Sequence, residues 1–318
     1  MKYRVGIDLG GTNIVSGVVD ENYNIIAKAK LKTNCPRSAQ EIIADMAKTV
    51  TLALEKAGID ISQVDSVGVG DPGSIEPKNG IVLYSNNIDF NNVELGKILS
   101  NLLGKPIFVE NDANAAAYGE YLAGAGKGTE NFVMITLGTG VGGGIIIDGK
   151  LFVGSNYSGG ELGHTVIVED GEECTCGRKG CWEAYASATA LIRQTKEQML
   201  ADRDSIMWQL CEGNIEKANG LTAFDAMRAG DASGKQVVDK YINHIATGIV
   251  NLVNIFQPDV LCIGGGICNE GEVLTAPIEK KLRVEDYARN VDKKAQIKIA
   301  TLGNDAGIIG AAFLGNLR

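Results

Sequence analysis

Positive charge, proline, histidine and long apolar runs are all in short supply. The chain has 30 Lys and Arg against 39 Asp and Glu, a formal net charge of −9 over 318 residues. A nucleic-acid binder needs a basic face to neutralise phosphates, so this deficit argues against one. Anionic small molecules stay open, because backbone N–H groups bind phosphate without net positive charge. No apolar run reaches the ~18 residues of a membrane span. The start, Met1-Lys2-Tyr3-Arg4-Val5-Gly6-Ile7-Asp8, meets an acid too soon for a signal peptide. A cytoplasmic protein with no membrane partner is expected. With only six prolines, 45 % apolar and 22 % charged residues, the composition is globular rather than low-complexity. The length suggests about two domains. No Gly-Lys-Ser or Gly-Lys-Thr occurs, which excludes the common lysine-bearing phosphate loop.

What is present is an alternation of short β-branched runs with longer helical patterns, the α/β signature. Strands are predicted over 4–9, 64–70, 106–110, 132–137, 144–147, 260–263 and 297–301, and helices over 39–57, 93–103, 113–123, 188–200 and 235–256. In the first helix Ile42, Ile43, Met46, Val50 and Leu54 recur at spacings of three and four, a buried stripe that Gly58 ends. Glycine is abundant, 41 residues, and clusters after strand-like runs. Two such places resemble each other. Ile7-Asp8-Leu9-Gly10-Gly11-Thr12 leads into the run 14–19, and Ile135-Thr136-Leu137-Gly138-Thr139-Gly140 leads into 144–147 and the turn pair Asp148-Gly149. Both read as strand, glycine turn, strand. The repetition suggests two related domains around a cleft.

Each glycine loop is either an ordinary hairpin turn or a phosphate site. In the second reading the amides of Gly10 and Gly11 face phosphate, Thr12 adds a hydroxyl and Asp8 holds Mg²⁺. The pattern Gly138-x-Gly140-x-x-Gly143 matches a dinucleotide fingerprint. That motif must open a helix, and here a strand and hairpin follow, which argues against a nicotinamide site. Asp112, in Glu110-Asn111-Asp112-Ala113-Asn114, falls where a helix begins. It is either the helix cap or a general base accepting a hydroxyl proton during phosphoryl transfer. Asp71-Pro72-Gly73-Ser74 and Asn86-Asn87 are polar turns that either merely connect strands or bind hydroxyls. Gly264-Gly265-Gly266 either ends a strand or lets a flat ring approach the backbone.

The most specific constellation is Glu161-Leu162-Gly163-His164 with Cys174, Cys176 and Cys181, followed by Glu183. Three of seven cysteines lie within eight residues, and one of only two histidines stands ten residues before them. In a reducing compartment this reads as a closed, structural Zn²⁺ site with His164, Cys174, Cys176 and Cys181 as ligands. It would fix the loop bearing Glu161 and Glu183. The alternative is three free thiols in a loop. His244 has no such neighbours and reads as packing or surface.

Together these residues resemble the ROK family of sugar kinases and repressors, closest to its bacterial glucokinases. The resemblance covers essentially the whole chain, and its most diagnostic part is Glu161-Leu-Gly-His164 with Cys174-x-Cys176-Gly-x-x-Gly-Cys181-x-Glu183. It implies a two-domain actin/hexokinase-like fold, a duplicated ribonuclease H-like α/β architecture with a cleft between the domains. Residues 1–118 plus a returning 304–318 would form the smaller domain, and 119–303 the larger one with the zinc site and dimer surface. It implies ATP- and Mg²⁺-dependent phosphorylation of a hexose, D-glucose first, with N-acetylglucosamine, N-acetylmannosamine or fructose as alternatives. It makes Asp112 the catalytic base and places Gly73, Ser74, Asn111, Asp112, Glu161, His164 and Glu183 on the sugar. It places Asp8, Gly10, Gly11, Thr12, Asn13, Gly138, Thr139 and Gly140 on the ATP phosphates, and Gly264, Gly265 and Gly266 near the adenosine. A homodimer or homotetramer is implied. Two departures stand out: Asn13 where lysine is frequent, and Asp71 where a small or apolar residue is commoner. The family's repressors carry a helix-turn-helix ahead of this region. Only seven residues precede Asp8 here, so a sugar-responsive regulator is the disfavoured alternative.

Overall fold

The computed structural model describes residues 2–85 and 88–317. The pair Asn86-Asn87, a candidate hydroxyl-binding stretch, lies outside the described residues. In chain order the first elements are β1 (Tyr3–Leu9), β2 (Asn13–Val19), β3 (Ile25–Lys32), α1 (Ala39–Ala57), β4 (Val64–Asp71), β5 (Ser74–Glu76), β6 (Ile81–Ser85), β7 (Phe90–Val93), α2 (Leu95–Leu103), β8 (Ile107–Asn111) and α3 (Asp112–Ala123). Then come β9 (Phe132–Leu137), β10 (Val141–Ile147), β11 (Lys150–Leu151), α4 (Glu183–Ala186), α5 (Ala188–Ala201), α6 (Met207–Leu210), α7 (Thr222–Arg228), α8 (Ala232–Phe256), β12 (Val260–Gly264), α9 (Glu272–Glu285), β13 (Gln296–Ile299) and α10 (Ala306–Ala312).

The first sheet has the order β3-β2-β1-β4-β8. β1, β2 and β3 form an antiparallel meander, while β4 and β8 join parallel to β1. Helix α1 starts at a capping box, Ser38 with Glu41, and stops at Gly58 in the left-handed conformation (φ 66°). Its stripe of Ile42, Ile43, Met46, Val50 and Leu54 is buried in the main core with Val5, Ile7 and Ile14. On another face α10 lies so close to β1 and β4 that a Cβ on Gly6 or Gly68 would sit within 2 Å of a carbonyl oxygen of Ile308 or Ala311. That contact admits only glycine.

A second five-stranded sheet has the order β11-β10-β9-β12-β13. It repeats the plan of the first: three consecutive strands side by side, then strands reached by crossovers. Asp148 (φ 50°) and Gly149 (φ 73°) form the expected hairpin turn between β10 and β11. A small antiparallel sheet has the order β5-β6-β7. Among the described residues no helix is long and apolar enough to cross a membrane.

The chain divides into two compact units, Met1–Met134 with Gly143–Gly160 and Ala300–Arg318, and Ile135–Gly142 with Glu161–Ile299. The boundary expected at Tyr118 falls inside α3, which continues unbroken to Ala123 because it packs along α10; a Cβ on Gly119 would meet the Ala306 carbonyl at 2.1 Å. Beyond α3, the buried Glu120 carboxylate accepts from the amides of Ala125 (2.8 Å) and Leu302 (2.7 Å), pinning the segment that returns into α10. The second unit is built on α8, a 25-residue helix capped by Asp231, whose face of Val238, Tyr241, Ile245 and Ile249 is buried.

Candidate active site

In the first unit three carboxylates converge near strand ends of the first sheet. Asp8 lies at the end of β1, Asp71 ends β4, and Asp112 opens α3 directly after β8. Burial, then the charge of Asp112, pushes the Asp8 carboxyl up to about 6. The same causes push Asp71 up to about 7. Asp71 is fully buried, and among the described residues neither carboxylate oxygen has a hydrogen-bond partner. The nearby Gly73 amide, outside hydrogen-bond geometry, offsets only part of the rise.

Asp112 is not the helix cap. That role belongs to Asn111, whose side-chain oxygen accepts from the amides of Ala113 (2.9 Å) and Asn114 (3.2 Å). Asn111 has the extended backbone that a cap needs, and it leaves Asp112 as the first helical residue. The Asn111 amide donates to the Gly73 carbonyl at 3.2 Å, holding the Pro72-Gly73-Ser74 turn against α3. Glu110 supports this corner, accepting from the Asn111 backbone and from the Asn114 side chain at 3.0 Å each. A Cβ on Gly73 would lie 2.5 Å from the Tyr84 carbonyl and 2.8 Å from an Asp71 oxygen, so the turn has no room for a side chain.

The first glycine loop is closed by the Gly10 amide on the Asn13 carbonyl (2.9 Å). Thr33, absent from the sequence-based reading, clamps it. The Thr33 hydroxyl donates to the Gly10 carbonyl (2.6 Å), and its amide donates to the Thr12 carbonyl (3.0 Å). Asp8, Gly10, Gly11, Thr12 and Asn13 all line one cavity of about 630 Å³.

In the second unit the loop at Gly138, Thr139 and Gly140 is tied to Glu183. The Glu183 carboxylate accepts from the Val141 amide at 2.9 Å, and a Cβ on Gly140 would sit 2.3 Å from that same carboxylate. Its other oxygen faces Thr175 (3.4 Å) and Cys174 (3.8 Å). Glu183 therefore links the glycine loop to the cysteine cluster. Gly265 (φ 99°) is required by chain packing, since a Cβ there would lie 2.2 Å from the Leu137 carbonyl; Gly264 ends β12, and Gly266 faces open space.

His164, Cys174, Cys176 and Cys181 gather with their ligand atoms all within 4.8 Å of one another. Zinc–sulfur bonds of about 2.3 Å at tetrahedral angles put sulfurs roughly 3.8 Å apart, and Cys176 and Cys181 are 3.7 Å apart. Four soft donors at that spacing fit a closed zinc site. Glu161 is exposed and stands at the start of the short turn Leu162–His164, with no capping bond from its side chain. Next in sequence to Cys181, Trp182 is fully buried against Gly248 and donates to the His244 carbonyl (2.9 Å), anchoring the cluster to α8. The His244 ring itself packs edge-on to Tyr185 at 4.8 Å, a packing role as expected.

The ROK family model matches residues 4–316. The chain belongs to the ROK family. This ROK protein is 39 % identical over 312 residues to the glucokinase of Thermotoga maritima, covering 98 % of this chain and 96 % of that one. It is 37 % identical over 316 residues to the glucokinase of Streptomyces coelicolor, covering 99 % and 98 %. Its structure matches that of a ROK family glucokinase from Streptomyces griseus in complex with glucose and AMPPNP, with a TM-score of 0.81, 38 % identity and 98 % of each chain covered. The fold of this ROK protein is the expected actin/hexokinase-like one.

Proposed function

We propose that this protein is an ATP-dependent hexose kinase that converts D-glucose to glucose 6-phosphate. The observation that carries the reading is the likeness over 98 % of the chain to a glucokinase structure holding glucose and an ATP analogue. Asp112 takes the proton from the 6-hydroxyl as that oxygen attacks the γ-phosphate. Its place at the first turn of α3, with capping delegated to Asn111, supports this. Phosphoryl transfer asks mainly for positioning and charge neutralisation, plus one base.

Asp8 holds the Mg²⁺ that arrives with the nucleotide. Its carboxyl, held up by burial and by Asp112, is one that a cation stabilises as the anion. The amides of the loops at Gly10, Gly11, Thr12, Asn13 and at Gly138, Thr139, Gly140 bind the phosphates, and Gly264, Gly265 and Gly266 lie near the adenosine. Gly73, Ser74, Asn111, Glu161, His164 and Glu183 hold the sugar so that one oxygen is in line. His164, Cys174, Cys176 and Cys181 hold zinc, which supplies rigidity rather than an activated water, because four protein ligands leave no open position. The same reading carries a cytoplasmic location and a homodimer or homotetramer.

The test is sugar-dependent ADP release from Mg-ATP, with glucose beside mannose, fructose, N-acetylglucosamine and N-acetylmannosamine. Preference for glucose is expected. Turnover confined to another sugar keeps the mechanism and overturns the substrate, and silence on all five overturns both.

A further inference from the structure

The first glycine loop, Asp8 to Asn13, contains no cation of its own. A nucleotide's terminal phosphates carry several negative charges, and Asp8 adds another. Loop amides alone leave that charge only partly neutralised.

The cavity at the loop supplies cations from other elements, β3 and α1. Its wall includes Lys28, Lys30 and Lys56. The register explains how Lys30 reaches it. Asp8 pairs with Val15 across β1 and β2, and Val15 pairs with Lys30 across β2 and β3. Residues directly opposite in a sheet project to the same face. Asp8, Val15 and Lys30 therefore form one row on the face where α10 lies. Two strand spacings separate Lys30 from Asp8, about 10 Å between their backbones. A lysine stem spans much of that interval toward a phosphate near Asp8.

The three lysines are not equivalent. Lys28 is already paired with Asp305 at 2.6 Å. Lys56 donates to the Lys28 carbonyl at 3.1 Å. Among the described residues no carboxylate pairs with Lys30, which is exposed. A lysine with no counter-ion, on the cavity face and in row with Asp8, lacks an anionic partner that a bound nucleotide would provide.

We propose that Lys30 is a phosphate-donor binding residue, its ammonium neutralising the terminal phosphates of the nucleotide held by the loop from Gly10 to Asn13. The proposal rests on the kinase reading above and deepens it.

Lys30→Met, Lys30→Arg and Lys48→Met separate the possibilities. Lys48 is exposed on α1 and does not line the cavity, so its variant controls for lost net charge. With glucose saturating, Lys30→Met is expected to lower kcat/KM for Mg-ATP about tenfold, while KM for glucose stays within about twofold. Lys30→Arg keeps the charge and recovers most of the loss. Calorimetric titration of Mg-AMPPNP without sugar reads the same contact and should weaken by a similar factor. Unchanged nucleotide affinity in Lys30→Met, or an equal loss in Lys48→Met, overturns the proposal. If the wild type binds Mg-AMPPNP but phosphorylates no sugar, the kinase reading fails, and the titration still decides the role of Lys30.

Discussion

Replacing Asp71 with asparagine should make the protein more stable, and more so as pH rises. The carboxyl is fully buried, its oxygens lack partners among the described residues, and Asp112 stands close enough to repel its charge. Burial and the charge of Asp112 push it up to about 7 in the folded chain, against 3.8 for a free carboxyl in the unfolded one. Between those values the folded state holds a proton that the unfolded state has released. Stability therefore falls as pH rises through this window, and the full cost is present above about 7. At roughly 1.4 kcal/mol per pH unit, the interval between pH 5 and 7 is worth about 3 kcal/mol. Asparagine has no charge to bury at any pH. The assay is urea unfolding of both proteins at pH 5 and pH 8. The stability gained by Asp71→Asn should be larger at pH 8 by about 2–3 kcal/mol. Parallel stability curves across that range would show that Asp71 ionises freely, and would refute the reasoning.

Two further substitutions probe the second unit. Cys176→Ser removes one of four clustered donors, so bound zinc should be lost and the thermal midpoint should fall by on the order of 5 °C, as should treatment of the wild type with a chelator; unchanged midpoints and full activity in metal-free protein would contradict a structural role. Gly140→Ala drives a methyl group to 2.3 Å from the Glu183 carboxylate, so kcat/KM for glucose should fall by up to about 10²-fold with little change in melting, since misplacing a contact by about 1 Å can cost that much; steady-state kinetics beside a melting curve reads both.

Much of this was legible because the signals were local. The apolar stripe of α1 and the Asp148-Gly149 turn each name their structure within a few residues, and the clustered His164, Cys174, Cys176 and Cys181 stand within eighteen positions. Other elements escaped. β3 alternates Ile25, Ala27, Ala29 and Leu31 with Lys28, Lys30 and Lys32, a period-2 signal diluted by alanine and lysine, as an edge strand allows. α9 carries Pro277 inside it, which sequence reasoning takes for a break. The short β5-β6-β7 sheet has too few residues to show a period. Thr33, Glu120 and Lys30 were missed for one physical reason. Thr33 acts on Gly10 and Glu120 on Leu302, and Lys30 stands two strands from Asp8 in one row, relations between distant segments that only the fold reveals. The cap of α3 is Asn111 and not Asp112, a distinction between neighbours that only the backbone geometry makes.

The central claim is that Asp112 is the base of a glucose kinase. The most direct measurement pairs glucose-dependent ADP release with calorimetric glucose binding in the wild type and in Asp112→Asn. Asparagine preserves size but cannot take the proton, so turnover should drop about 10²–10⁴-fold, the range that general-base catalysis supplies, with glucose affinity within about threefold of wild type. Asp112→Asn retaining most of the wild-type rate would contradict the account.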